Sequence, residues 1–301
     1  MTEGAHAPLA KPPQRLLLLA NPISGGGKGQ RLAPALAARL AARGVACELH
    51  FTTRAGDAAE RARAALREPW DGLIAIGGDG TVNEVLNGMP DPSRPLGMLP
   101  VGTANVLASE HALPHDPDTA AAMLAGGRVR ELPIAICREQ RFLLFAGAGL
   151  DGDIVHRVAA RRSGTLGKHK YLVPIVQTLW HWRLPNLRVT LADGEVLDGV
   201  STLLVSCVRH YGGALRLPVD TNGSSHCLHV LVFRDRSRAA FLRHGWRGLW
   251  GRMRSDRGLV VRRSSSVHVE GSAAMQIDGD PAGSTPATIA LLPTRARLFV
   301  P

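Results

Sequence analysis

The chain has 301 residues, 45% hydrophobic and 20% charged, enough for one large or two mid-sized packed domains, which excludes a disordered chain and a disulfide-stapled mini-protein. Its formal net charge is +11, yet residues 1–127 hold 11 Lys and Arg against 12 Asp and Glu, so the whole excess falls in residues 128–301. The longest aliphatic run, Leu16 to Ala20, is far short of the ~18–20 residues that span a bilayer, and four scattered cysteines without a CxxC pair suggest neither a zinc knuckle nor a disulfide framework.

Met1 to Gln14 carries three prolines and reads as a mobile tail, not a signal peptide, so a reducing cytoplasm is the expected location. Leu16 to Ala20 is then a buried strand running into Asn-Pro and a glycine cluster. Leu32, Leu36 and Leu40 give Arg31 to Arg43 one apolar helical face that stops at Gly44. The alternation continues with strand Val45 to Phe51, helix Asp57 to Leu66, strand Gly72 to Ile76, helix Thr81 to Asn87 and strand Leu96 to Leu99. Such alternation predicts a parallel sheet with helices on both faces and ligands at the carboxyl ends of the strands. Composition shifts near Gly126-Gly127, which divides the chain into an α/β domain, 1–127, and a mostly antiparallel domain, 128–301, whose last strand is a candidate to return to the first. In that second part Arg128 to Ile136, Arg141 to Ala146, Leu187 to Ala192, Glu195 to Val208, Leu228 to Phe233, Val260 to Arg263, Val267 to Glu270 and Ala287 to Val300 read as strands or strand pairs, with Asp193-Gly194 as a hairpin turn.

Three loops fall at the strand ends of the first domain: Asn21 to Gly29, Gly77 to Glu84 and Pro100 to Asn105. Each joins glycines, which let backbone N–H groups approach anionic oxygens, to a hydroxyl (Ser24, Thr81 or Thr103) and a following helix N-terminus. That combination, three times on one sheet edge, is suited to phosphate. A Walker A loop ending at Lys28 fails, because Pro22 and Gly29 stand where Gly and Ser or Thr are required. Gly147 to Gly152 spells GxGxxG, but no acidic residue follows between Asp153 and Asp193 to hold a ribose, and it reads as a tight turn.

NPxSG at Asn21 to Gly25, GGDGTxNE at Gly77 to Glu84, PxGTxN at Pro100 to Asn105, a Gly-x-Asp turn at Gly149 to Asp151 and Asp-Gly-acid at Asp278 to Asp280 occur in that order over about 260 residues. In these motifs the chain resembles the diacylglycerol kinase catalytic-domain family, soluble bacterial lipid kinases related to sphingosine and ceramide kinases. The resemblance implies an N-terminal α/β nucleotide-binding domain and a C-terminal β-sandwich-like domain with inserted helices that holds a lipid headgroup. It implies ATP contacts at Asn21, Pro22, Ile23, Ser24, Gly25, Thr52, Gly77, Gly78, Asp79, Gly80, Thr81, Val82, Asn83 and Thr103. It makes Asp79 catalytic through Mg²⁺, and puts Asp280 where the family has the glutamate that accepts the substrate proton. Three positions depart from the pattern. Val106 follows Asn105 where many members have Asp; Asp280 is shorter than Glu by one methylene, about 1.3–1.5 Å; and Asp220 to Val230 lacks a DG pair, with Asn222, Ser225 and Cys227 near it, so a secondary metal site is expected to be weak or missing.

Two basic helical patterns interrupt the second domain. Arg157, Arg161, Arg162, Lys168 and Lys170 precede Leu172, Ile175, Val176, Leu179, Trp180 and Trp182; farther on, Leu242, Trp246, Leu249, Trp250 and Met253 form one apolar stripe among Arg238, Arg243, Arg247, Arg252 and Arg254. Four of the five tryptophans lie there, beside arginines, as an interfacial surface on an anionic membrane requires; a stripe packed on the sandwich with solvated arginines is the other reading. The function expected is therefore an ATP-dependent lipid kinase. It transfers the γ-phosphoryl group to a primary hydroxyl of a diacylglycerol-like or ceramide/sphingoid lipid, at the inner face of the membrane. The alternatives are a NAD kinase-like enzyme, a catalytically inactive member, or a nucleic-acid-binding protein; the last has basic charge in its favour but no helix-turn-helix, RNP or zinc signature.

Overall fold

The computed structural model describes residues 6–160, 177–178, 184–220 and 226–301. The chain divides into two compact units, one formed by the residues up to Ile134 together with Pro293–Pro301, the other by the described residues from Ala135 to Leu292.

The first unit runs β1 (His6–Pro8), β2 (Arg15–Ala20), α1 (Ser24–Ala41), β3 (Ala46–Phe51), α2 (Asp57–Ala64), β4 (Gly72–Gly77), α3 (Asp79–Gly88), β5 (Leu96–Pro100), α4 (Val106–His111) and α5 (Pro117–Gly126). Strands β3, β2, β4 and β5 lie side by side and parallel, in that order. Leu16 to Ala20 are all fully buried, which is why the central strand is an unbroken aliphatic run without alternation. Ala33, Leu36 and Leu40 give α1 its buried face. Asp116 caps α5, its side chain accepting the Thr119 N–H at 2.8 Å ahead of Pro117, and left-handed Gly127 closes the other end; a cap of this kind contributes about 1 kcal/mol. The chain returns to this unit at its end, where Leu298 pairs in parallel with Leu96 and Phe299 is fully buried against Gly72. The N-terminal tail is not free over its described part: β1 pairs with Arg128–Arg130 and the Leu9 N–H donates to Gly127 O at 2.8 Å.

The second unit takes the end of β6 (Arg128–Cys137), from Ala135, and the start of β19 (Ala287–Phe299), to Leu292. Between them lie β7 (Gln140–Phe142), β8 (Phe145–Gly149), α6 (Leu150–Ala160), β9 (Leu187–Leu191), β10 (Val196–Val200), β11 (Thr202–Ser206), β12 (His210–Tyr211), β13 (Leu215–Arg216), β14 (Leu228–Phe233), α7 (Arg238–Leu249), β15 (Leu259–Ser264), β16 (Ser266–Glu270), β17 (Ala274–Ile277) and β18 (Asp280–Ser284). One antiparallel sheet has the order β15-β14-β11-β8-β17-β18; β10-β9-β16-β19 are the antiparallel part of a second sheet, which β19 continues to β5. Val205, Val230 and Met275 of the first share a core with Val189, Val267 and Ile289 of the second, which is the expected sandwich.

Three local expectations change. Glu195 to Val208 divides into β10 and β11 in different sheets, at a corner with left-handed Gly199 and buried Ser201, whose Oγ donates to Phe233 O at 2.9 Å and Asp235 O at 2.7 Å. Arg141 to Ala146 divides because the Asp278 carboxylate draws in the Leu144 and Phe145 N–H groups, at 3.2 and 2.9 Å. Gly147 to Gly152 is no tight turn but the passage from β8 into α6. The basic pattern from Arg161 to Trp182 lies outside the described residues except for Gln177 and Thr178, and so do Asn222 and Ser225. Among the described residues no helix is long and apolar enough to cross a membrane.

Candidate functional site

Parallel pairing brings the carboxyl ends of β2, β3, β4 and β5 to one edge, and backbone bonds hold the loops there together. The Asn21 N–H donates to Ile76 O at 2.9 Å, the Thr52 N–H to Ala20 O at 2.9 Å and the Val101 N–H to Gly77 O at 3.0 Å. The loops approach so closely that side chains are excluded: a Cβ on Gly25, whose φ is +62°, would stand 1.9 Å from Val101 O, and one on Gly102 would stand 2.5 Å from Gly78 Cα. Ile23, Gly80 and Thr103 are exposed on this edge, while Asn21, Pro22, Ser24, Gly25, Thr52, Gly78, Asp79 and Asn83 are half-buried. Gly77 is buried at the end of β4. Thr81 and Val82 are also buried, and both donate their N–H groups to Gly78 O.

Helix α3 begins at Asp79, two residues earlier than the periodicity predicts, which turns that carboxylate toward the next helix. Its Oδ2 accepts the Val106 N–H at 2.9 Å and its Oδ1 the Leu107 N–H at 3.1 Å, so it satisfies two of the N–H groups that α4 leaves open at its start. Burial pushes the Asp79 carboxyl above the usual carboxylate range, and these two N–H groups pull it back. Each oxygen accepts one bond from α4, and a carboxylate oxygen has two lone pairs. Beside this cap, Asn105 adopts a left-handed conformation and donates Nδ2 to Gly102 O at 2.8 Å, leaving its buried Oδ1 without a hydrogen-bond partner among the described residues. An unpaired buried acceptor costs about 1–3 kcal/mol, which an incoming donor or cation would relieve. The site therefore offers a carboxylate, an amide oxygen and helix N-termini, a donor set that fits a nucleotide phosphate with a hard divalent cation.

In the second unit, Asp278 and Gly279, both at positive φ, make the two-residue turn between β17 and β18, and Asp280 opens β18 opposite Ile277. Asp280 is exposed. Behind the turn lies a buried group of which the motifs held only Asp151, with no role given to it. Asp151, in the first turn of α6, is buried; it accepts the Tyr211 hydroxyl on Oδ1 and Gln276 Nε2 on Oδ2 at 2.7 Å. A Cβ on Gly147 would stand 1.8 Å from that Oδ2, so the glycines of this segment make room for a carboxylate. The Gly-x-Asp sequence was the available signal; Tyr211 and Gln276 had none.

Burial pushes the Asp151 carboxyl up, against the pull of its two donors, and pushes the Tyr211 phenol up beside it. An acid whose folded pKa is raised binds its proton in the folded state at pH values where the unfolded chain has lost it, so stability falls as pH rises through that window. Asp151→Asn keeps an acceptor for Gln276 and offers a donor to the Tyr211 oxygen. We expect it to unfold at an unchanged or higher temperature at neutral pH, and to flatten the decline of melting temperature with pH above the ordinary carboxylate range; a pH series of thermal melts on both proteins checks this.

Helix α7, capped by Ser237, buries Ala240, His244 and Gly248 and leaves Leu242, Trp246, Leu249 and Trp250 exposed by 62%, 64%, 53% and 64%. Met253, expected in the same stripe, instead lies beyond the helix and is buried against Gly248. Arg243 pairs with Asp235 at 3.6 Å and Arg247 with Asp256 at 3.2 Å, whereas Arg252 and Arg254 are exposed and make no ion pair among the described residues. Asp235, His244 and Asp256 are the one trio of His, Cys, Asp or Glu ligand atoms within 4.8 Å of one another among the described residues. With those arginines on the two carboxylates, their charge is already compensated.

Comparison with known proteins bears on both units. Residues 15–137 match the diacylglycerol kinase catalytic domain, and residues 145–300 match the YegS C-terminal NAD kinase beta sandwich-like domain. Over 283 residues the chain is 29% identical to a protein of Bacillus subtilis (strain 168) named diacylglycerol kinase, covering 91% of this chain and 92% of that one. Over 294 residues it is 26% identical to a protein of the same name from Staphylococcus aureus (strain MRSA252), covering 96% and 93%. A solved structure of a diacylglycerol kinase from Bacillus anthracis str. Sterne superposes with a TM-score of 0.73 over 96% of this chain and 97% of that chain, at 22% identity, a likeness of fold.

Proposed function

Because the chain belongs to the diacylglycerol kinase catalytic-domain family, with a YegS-type sandwich domain following, and is a lipid kinase, we propose that it moves the γ-phosphoryl group of ATP to a primary hydroxyl of a diacylglycerol-like lipid. A ceramide or sphingoid lipid is the other acceptor class within this reading. The observation that carries it is the glycine-lined edge of the parallel sheet, where Asp79 and the unpartnered Asn105 Oδ1 offer oxygen donors beside three loops made for phosphate. The loops Asn21 to Gly25, Gly77 to Asn83 and the one carrying Thr103 bind the nucleotide, together with Thr52. Mg²⁺, when bound with it, supplies neutralisation of phosphate charge, and Asp79 is the residue that would hold it, with Asn105. Asp280 takes the proton of the acceptor hydroxyl as that oxygen bonds to phosphorus and the bond to ADP breaks.

The test is a labelled-ATP assay on mixed micelles of diacylglycerol, ceramide, sphingosine and monoacylglycerol, with and without Mg²⁺ and with NAD as a further acceptor. Metal-dependent labelling of diacylglycerol supports the proposal; labelling of NAD alone, or of nothing, overturns it.

The same reading puts the enzyme at the cytoplasmic face of an anionic membrane, since a bilayer lipid reaches a chain of this kind only at the interface. What supports it is the inverted face of α7, which buries Ala240, His244 and Gly248 and leaves two tryptophans in solvent, with exposed arginines beside them. Replacing Trp246 and Trp250 together by Ser is expected to abolish liposome binding and lower activity on bilayer lipid, with melting temperature and activity on a short-chain soluble analogue unchanged. Replacing Arg252 and Arg254 by Gln should weaken binding to anionic vesicles alone, by about 1 kcal/mol per charge, an effect that high salt reproduces. Vesicle sedimentation beside thermal melts checks both; a destabilised double mutant, or a stable one that still binds, rejects the membrane role.

A further inference from the structure

Gln276 is fully buried in β17 between Met275 and Ile277, which are themselves buried, so packing alone calls for an apolar side chain there. Its amide is paired at both ends: Nε2 donates to Asp151 Oδ2 at 2.7 Å, and Oε1 accepts the Gly279 N–H at 2.8 Å. Asp151 is held in turn by Tyr211 and seated over Gly147, which pairs with Gln276 across the sheet. The acceptor on one side and the donor on the other leave the amide one orientation. Gly279 is the second residue of the turn, and the next residue is Asp280. On the other side of the turn, Asp278 is tied to the Leu144 and Phe145 N–H groups. A two-residue turn whose members are each bonded to buried groups delivers the following side chain to one place, which a carboxylate shorter than Glu by a methylene needs more than Glu does.

We propose that Gln276 is a positioning residue for Asp280, linking the buried Asp151 carboxylate to the Gly279 N–H so that the turn presents the proton acceptor in one position. This rests on the assignment of Asp280 as that acceptor. It goes beyond that assignment by naming what sets the base in place.

The experiment is a double-mutant cycle with Gln276→Met, which keeps length and removes both hydrogen bonds. Gln276→Met is expected to lower kcat by about 10–100-fold with little change in the KM for ATP, and to cause no further loss in the Asp280→Ala background. An unchanged kcat, or the same loss with Asp280 already removed, overturns the proposal while leaving Asp280 as the base. If Asp280→Ala by itself keeps full turnover, the reading of the base fails first and the proposal falls with it. Should Gln276→Met fail to fold, Gln276→Glu decides. A neutral carboxylic acid there donates to Asp151 and accepts from Gly279 as the amide does, whereas a carboxylate opposes Asp151. The kcat of Gln276→Glu relative to the wild type is therefore expected to rise as pH falls; a ratio independent of pH overturns the proposal.

Discussion

Asp280→Ala is expected to lower kcat by about 10²–10⁴, the range for a lost general base, with a smaller change in apparent ATP affinity. The side chain is exposed beside the β17–β18 turn, and bonds made by Asp278, Gly279 and Gln276 anchor that turn to the sandwich, so its removal should spare the fold. Steady-state kinetics at saturating and limiting ATP, with thermal unfolding alongside, separate the outcomes. A collapse of ATP binding with an unchanged rate per bound nucleotide would make Asp280 structural. Asp280→Glu is informative in the opposite direction: it restores the reach that the family's usual residue has, and turnover should be kept.

Asp79→Asn is expected to remove turnover almost completely, because in the proposed role an amide would hold a divalent cation far more weakly than a carboxylate. The same change reaches α4. The carboxylate meets Val106 and Leu107 with a different oxygen each; the amide keeps one of those oxygens, and its NH₂ group then faces the other N–H. Losing part of a helix cap costs about 0.5–2 kcal/mol, so a lower melting temperature is expected but not unfolding. Nucleotide affinity measured with and without Mg²⁺ distinguishes the two effects: the metal-dependent increment disappears in the variant, while a cap-only role would leave it in place. Retention of more than about a tenth of the activity by a folded variant overturns the assignment of Asp79.

The parallel core and the phosphate loops were legible in the amino-acid order because their causes are local. Leu16 to Ala20 reads as a buried strand from its own composition, Leu36 and Leu40 mark one helix face by spacing, and Asn21 to Gly25 announces a loop, at whose Gly25 there is no room for a side chain. Alternating hydrophobicity likewise marked most strands of the second unit. The sequence also placed large apolar residues of α7 on one stripe, but period alone does not say whether a stripe faces a core or solvent. Exposure of Trp246 and Trp250, and burial of Met253, were decided by what packs against the opposite face, Ala240, His244 and Gly248. The chemistry of the carboxylates was hidden for the same reason. Asp79 meets its α4 donors across 27 and 28 positions, and Gln276 meets Asp151 across 125, so only the folded chain brings these groups within hydrogen-bond distance. Motif spacing reports which residues stand at the ends of strands; which lone pairs remain open there, and which buried amide holds a turn, is decided by long-range packing, because a hydrogen bond depends on the position of its partner and not on its place in the chain.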